Sequence, residues 1–144
     1  MNKKGLNAYK QVGIRDQLGT ADPYQIIQML MQGAIDRMVM ARSAIDRKDL
    51  AAKSEHVSKA TAIVKSLNES LHPVDGGEDV VNNLASLYDF IVEHLLEASR
   101  ENSSQKIHDC QQIMTTIKEG WDSIPQDVRI STLSQNESLV TAGG

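Results

Sequence analysis

The sequence predicts an all-α protein: an antiparallel up-down four-helix bundle carrying a flexible N-terminal arm and a disordered C-terminal tail. Two observations lead there. Hydrophobic residues make up 40% of the 144-residue chain but aromatic residues only 3%, so the core must be built from Leu, Ile, Val, Ala and Met, a composition that favours helices over strands. Four stretches then repeat apolar residues at spacings of three and four, with short polar punctuation between them. A chain of this length buries one core, so a single domain over residues 22–122 is expected, between an arm at 1–21 and a tail at 123–144.

The arm holds Gly5, Gly13 and Gly19 among sparse apolar residues, of which Leu6, Tyr9 and Val12 are the substantial ones before Ile14. Glycine at that density weakens a long helix, so the arm is expected to dock and release, as a lid over an apolar surface. The first helix has a clear start. Asp22 can cap it, Pro23 suits a first position whose N–H would be unpaired anyway, and Gln25 can reach back to close a capping box. It is predicted to run to Arg47 with a core stripe of Ile27, Leu30, Ala34, Met38, Ala41 and Ile45. Met31, Ile35 and Val39 widen that stripe on one side, and Met29, Gly33 and Met40 on the other. That is more apolar circumference than an ordinary bundle helix needs, and four of the six methionines lie here, a residue suited to adaptable contacts.

The link at Arg47 to Asp49 is short enough to force the second helix antiparallel to the first, with Asp49 as its cap. Val57, Ala60, Val64, Leu67 and Leu71 form its core stripe and Lys53, Ser54, Lys65 and Asn68 its polar side, up to the break at His72-Pro73. Gly76 and Gly77 then punctuate, and Glu78 and Asp79 place negative charge at the positive end of the third helix. Its core stripe is read as Val80, Leu84, Leu87, Ile91, Leu95 and Ala98. A second apolar stripe, Val81, Ala85, Tyr88 and Val92, is left for a second surface. Asn102 with Gln105 offers a capping box for the fourth helix, in which Ile107, Cys110, Met114, Ile117 and Trp121 face inward. After Pro125 the chain is rich in Ser, Thr, Gln, Asn and Gly, which predicts disorder.

Composition also excludes functions. A net charge of -4 and the absence of a concentrated basic face argue against nucleic-acid binding. No apolar run reaches the roughly 18 residues of a membrane span, and the N-terminus lacks the apolar block of a signal peptide, so a soluble cytoplasmic protein with no direct membrane insertion is expected. A di-iron bundle needs two Glu-x-x-His motifs, and only Glu69-Ser-Leu-His72 is present; His108 and Cys110 point to different sides of one helix. No nucleophile motif or phosphate loop occurs, so neither a catalytic residue nor a metal site is assigned. Cys110 reads as a buried small residue.

The run Gly76-Gly77-Glu78 followed by Asn83-Leu84-Ala85-Ser86-Leu87-Tyr88-Asp89-Phe90 resembles the signature of the FliS family, the flagellin-specific export chaperones of bacterial flagella. Tyr9, the run Thr20 to Leu30, Gly33-Ala34, Lys59-Ala60 and Trp121 are similar to that family in order and spacing, so the resemblance covers residues 6 to 122. Gly76, Gly77, Asn83, Leu84, Leu87 and Asp89 carry it most specifically. Phe90 stands where the family often has a second Tyr, and Glu93-His94 where it has Arg pairs.

The resemblance implies a chaperone that binds the C-terminal segment of flagellin in the cytoplasm, prevents its premature polymerisation and presents it to the cytoplasmic domain of the export gate protein FlhA. It implies no enzyme activity and no cofactor, nucleotide or metal. The surplus apolar positions then become candidates for flagellin contact: Met29, Leu30 and Gly33 on the first helix, and Val81, Ala85, Tyr88 and Val92 on the third. Two other readings compete. His56-Val-Ser-Lys59-Ala60 resembles the phosphoacceptor site of histidine phosphotransfer bundles, although Ala60 stands where those domains prefer Gly. A structural or dimerising bundle with no client would use the second stripes as extra core, and a monomer or weak homodimer is expected.

Overall fold

The computed structural model describes residues 22–72 and 76–125. The arm residues Leu6, Tyr9 and Val12, and all of the tail beyond Pro125, lie outside the described residues. Four helices, α1 (Pro23–Asp46), α2 (Leu50–Glu69), α3 (Glu78–Glu101) and α4 (Ser104–Asp122), follow one another, and no strand occurs among the described residues. Each packs on the next and α4 returns to α1, so α1 and α3 occupy opposite corners of the bundle, as do α2 and α4. The prediction of an all-α four-helix bundle holds.

The ends of the helices show why the chain breaks where it does. The Asp22 carboxylate accepts from the Gln25 backbone N–H at 2.8 Å, and the Gln25 side chain accepts in return from the Asp22 N–H, a complete capping box. Asp49 caps α2 through the Ala52 N–H at 3.1 Å. The capping residue of α4 is Ser103, which accepts from Lys106, and not Asn102 as predicted. Asn102 instead takes the left-handed conformation (φ 53°) that ends α3, a geometry a short amide side chain tolerates better than most residues. Gly76, at φ 81°, turns the chain into α3, a conformation that glycine adopts without strain.

The core is aliphatic and methionine-rich: Met31, Ala34, Met38, Ala41, Val57, Ala60, Val64, Leu67, Ile91, Leu95, Ala98, Ile107, Cys110 and Met114 are all buried in one cluster. Ile27, Leu30, Ile45, Leu71, Ile117 and Trp121 were expected in that core and pack against it half-buried. Burial pushes the Cys110 thiol up to about 12, with Asp109 adding to the shift, so it stays protonated and inert at neutral pH.

Assignments on α3 and α2 also change. On α3, Tyr88 is 2% exposed and Leu87 39% exposed, the reverse of the expected roles. Val80, in the first turn, is also exposed, and Leu84 is half-buried. The core-facing direction of α3 runs between the two stripes, and the flank carrying Leu87 turns towards α4 across the sparsest of the four seams. Lys53, expected on the polar side of α2, is buried. Its ammonium donates to the Ser99 carbonyl at 2.8 Å and the Asn102 side chain at 2.7 Å, tying α2 to the carbonyl-rich end of α3.

Candidate functional site

A shallow groove of about 420 Å³ runs along the α3/α4 seam, lined by Leu87 from α3 and by Asp109, Gln112, Ile113, Thr116 and Ile117 from α4. Helical periodicity builds it. Asp109, Ile113 and Thr116 stand one turn apart on the flank of α4 that faces α3, and Leu87 and His94 stand two turns apart on the facing flank of α3, with Phe90 between them on the solvent side. Phe90 is 46% exposed and stacks on the His94 ring at 4.9 Å, and His94 Nε2 lies 3.7 Å from the Asp109 carboxylate. At the end of the seam where α3 gives way to α4, Lys106 pairs with Glu97 and with Glu101, which lowers the Glu97 carboxyl and raises the Lys106 ammonium from their ordinary values. The seam is therefore tied by charge at that end and open and apolar towards the other.

The candidates named from sequence do not form one patch. Met29, Leu30 and Gly33 are half-buried on α1, and Val81, Ala85 and Val92 half-buried on α3, at the opposite corner. Leu30 and Val92 already pack against the core. Tyr88 is withdrawn as a client contact, because its ring fills the core and burial pushes its hydroxyl up to about 12. The signature residues divide by role: Gly76 and Gly77 shape the start of α3, Asn83 is exposed, Leu84 packs on the core, and Leu87 lines the groove. Asp89 accepts a hydrogen bond from Asn68 of α2 at 3.0 Å. Sequence reasoning missed Phe90, Ile113 and Thr116. The spacing of Ile113 from Ile117 and of Leu87 from Phe90 held the signal, but flank residues were absorbed into a single core stripe.

His56 is half-buried between α1 and α2, with Nδ1 3.0 Å from the Arg37 guanidinium. Burial, and then the Arg37 charge, lower its pKa. Arg donates only, so Nδ1 accepts and the ring is held neutral. Among the described residues no group of three or more His, Cys, Asp or Glu side chains could hold a metal ion, and no helix is long and apolar enough to cross a membrane.

Comparison with known proteins adds a second line of argument. The family described as Flagellar protein FliS matches residues 5–128. The chain is 38% identical over 130 residues to the flagellar secretion chaperone FliS of Vibrio cholerae, covering 90% of this chain and 95% of that protein. It is 35% identical to the flagellar secretion chaperone FliSB of Pseudomonas aeruginosa, over 84% of this chain and 95% of that one. It is 36% identical to the flagellar secretion chaperone FliS of Salmonella typhimurium, over 83% and 89%.

Proposed function

Since this chain belongs to the FliS family of flagellar export chaperones, we propose that it binds the C-terminal segment of flagellin in the cytoplasm, holds it from premature polymerisation and presents it to the cytoplasmic domain of FlhA. The family match across most of the chain carries this reading, and the α3/α4 groove supplies a physical means. A helical client segment with a row of apolar residues would cover Leu87, Phe90, Ile113 and Ile117, three of which line the groove, with Phe90 exposed at its rim. Ordering the client would cost about 2–5 kcal/mol, offset by removing this apolar surface from water. Met29 and Gly33, at the far corner, belong to the same site only if the client wraps around the bundle.

The test is co-purification with full-length flagellin beside flagellin lacking its C-terminal segment, using the parent chaperone and Leu87→Asp. Full-length flagellin should be retained by the parent, and both the flagellin truncation and Leu87→Asp should reduce retention by tenfold or more. Equal retention of the truncated flagellin would refute the reading. Normal retention by Leu87→Asp would move the client to the α1 surface.

A further inference from the structure

We propose that the α3/α4 groove selects a basic amphipathic partner, one whose apolar row is followed within about one helical turn by Lys or Arg settling beside Glu93 and Asp109. This rests on the reading of the groove as the client site and names the chemistry of the client it takes. Charge is unevenly spread over the bundle. In α1, Asp36 and Asp46 are matched by Arg37 and Arg42, and in α2 Glu55 and Glu69 face Lys53, Lys59 and Lys65. By contrast, α3 carries Glu78, Asp79, Asp89, Glu93, Glu97 and Glu101 against Arg100 alone.

Beside the groove this excess is only partly answered. Glu93, Glu97 and Glu101 stand on successive turns of α3, where like charges four residues apart repel. Lys106 reaches from α4 to Glu97 and Glu101, one positive charge for two carboxylates. Among the described residues Glu93 has no ion-pair partner, and Asp109 has only His94, a group charged only when protonated. Asp109 also accepts from the uncharged Gln105 amide at 3.0 Å, and its side chain is 45% exposed. By helical position Glu93 stands one turn from Phe90 on the solvent side, and Asp109 lies beyond the His94 ring on the α4 side. Two carboxylates in need of a cation therefore flank the Phe90–His94 stack.

The spacing links that charge to the apolar wall. Ile117, Ile113 and Asp109 follow one another every four residues, so the Asp109 position lies about 6 Å past Ile113 along α4. A partner covering Leu87, Ile113 and Ile117 brings its next turn to the carboxylates. Lys or Arg there gains an ion pair and the exposed face of Phe90, whose other face is held by His94. Glu or Asp there meets like charge at a partly dried rim, which rejects acidic segments of equal hydrophobicity. A second copy of this chain fits poorly for the same reason, because a two-fold contact through the groove sets like carboxylates against each other.

The experiment uses two synthetic amphipathic peptides of about 18 residues, about five turns, sharing one Leu and Ala face and bordered by either Lys or Glu. Calorimetry with the full chain is run at about 0.01 M and about 1 M salt, where the Debye length falls from about 30 Å to about 3 Å. At low salt the Lys peptide should bind at least about tenfold tighter than the Glu peptide, and at high salt the ratio should fall below about threefold. Glu93→Gln with Asp109→Asn should remove most of the preference, and Glu93→Lys with Asp109→Lys should reverse it. Leu87→Asp should weaken the Lys peptide; since it adds negative charge, tighter binding would reveal attraction to the acidic surface without the groove and overturn the proposal. Equal affinities, or a preference that survives both double variants, overturn it as well, as does loss of peptide binding through self-association of the chain. No flagellin enters the measurement. Equal affinities beside normal flagellin retention would overturn this inference and leave the chaperone reading standing, whereas lost retention with the preference intact would refute the chaperone reading alone.

Discussion

Helix α4 makes two seams of opposite character. Its seam with α1 is sealed by groups that bond in both directions: the Tyr24 hydroxyl donates to the Trp121 carbonyl at 2.6 Å, and the Trp121 indole N–H donates to the Tyr24 carbonyl at 3.1 Å. The two rings stack at 5.1 Å. Gln28 donates to Asp122 at 2.7 Å, Lys118 pairs with Asp122, and Arg42 donates to Gln111 further along. Among the described residues, the seam with α3 has no such clasp at its open end, and there Leu87, Ile113 and Ile117 line a groove. The contrast teaches that all four helices being amphipathic does not decide which seam stays open. Reciprocal polar ties do, because each fixes a helix end in place while leaving few groups for a ligand to use.

The largest expected effect comes from breaking the sealed seam. Trp121→Ala removes the ring stack, the indole hydrogen bond and half-buried apolar surface together, and should cost about 3 kcal/mol in urea denaturation. Leu87→Ala, on the open seam, should cost about 1 kcal/mol or less, because the side chain it shortens is already 39% exposed. Equal losses would mean that the two seams are packed alike and that the groove closes in solution.

A sharper version changes one atom. Tyr24→Phe keeps the stack and removes the hydroxyl, so the Trp121 carbonyl keeps the Ile124 N–H at 3.2 Å and loses its shorter bond, and the change should cost about 1 kcal/mol. Trp121 is the sole tryptophan, so its fluorescence follows this seam alone: the emission should shift in Tyr24→Phe and stay unchanged in Leu87→Ala. An unchanged spectrum in Tyr24→Phe would show that stacking holds the clasp without the hydroxyl.

Much of this architecture was legible in the residues. Asp22-Pro23 with Gln25 gave the start of α1, Asp49 the start of α2, and the α2 stripe from Val57 to Leu67 is buried as its spacing required. What could not be read was the rotation of α3 about its own axis. Leu87 and Tyr88 stand about 100° apart on a helix, and each belongs to a plausible stripe, so the choice depends on how far α3 sits from α2 and from α4, a tertiary quantity. Lys53 was unreadable for a similar reason. A lysine on a polar flank is ordinarily solvated, and only the arrival of the α3 terminus, with the Ser99 carbonyl and Asn102, gives its ammonium buried partners. The α3/α4 groove suffered most, because it is made of flanks and not of centres.

The smallest expected effect extends the comparison to the other seam of α1, where Arg37 meets His56. Here a polar tie exists, as in the α1/α4 clasp, but one partner titrates near neutrality. The folded-state pKa of His56 lies below its ordinary value because burial disfavours the cation first and the Arg37 charge second. Between the folded and unfolded pKa the unfolded chain binds the extra proton, so this contribution to stability is complete above the ordinary histidine range and declines as pH falls through it. His56→Gln keeps an acceptor for Arg37 and cannot titrate. Urea denaturation at pH 7.5 and 5.5 should therefore show the parent losing more stability on acidification than His56→Gln, with the two converging at the higher pH. The window lies above the range where most carboxylates titrate, and His72, His94 and His108 are present in both proteins, so the difference isolates His56. Identical pH slopes would mean that the Arg37 contact does not persist in solution, and the α1/α2 seam would then rest on its buried apolar packing.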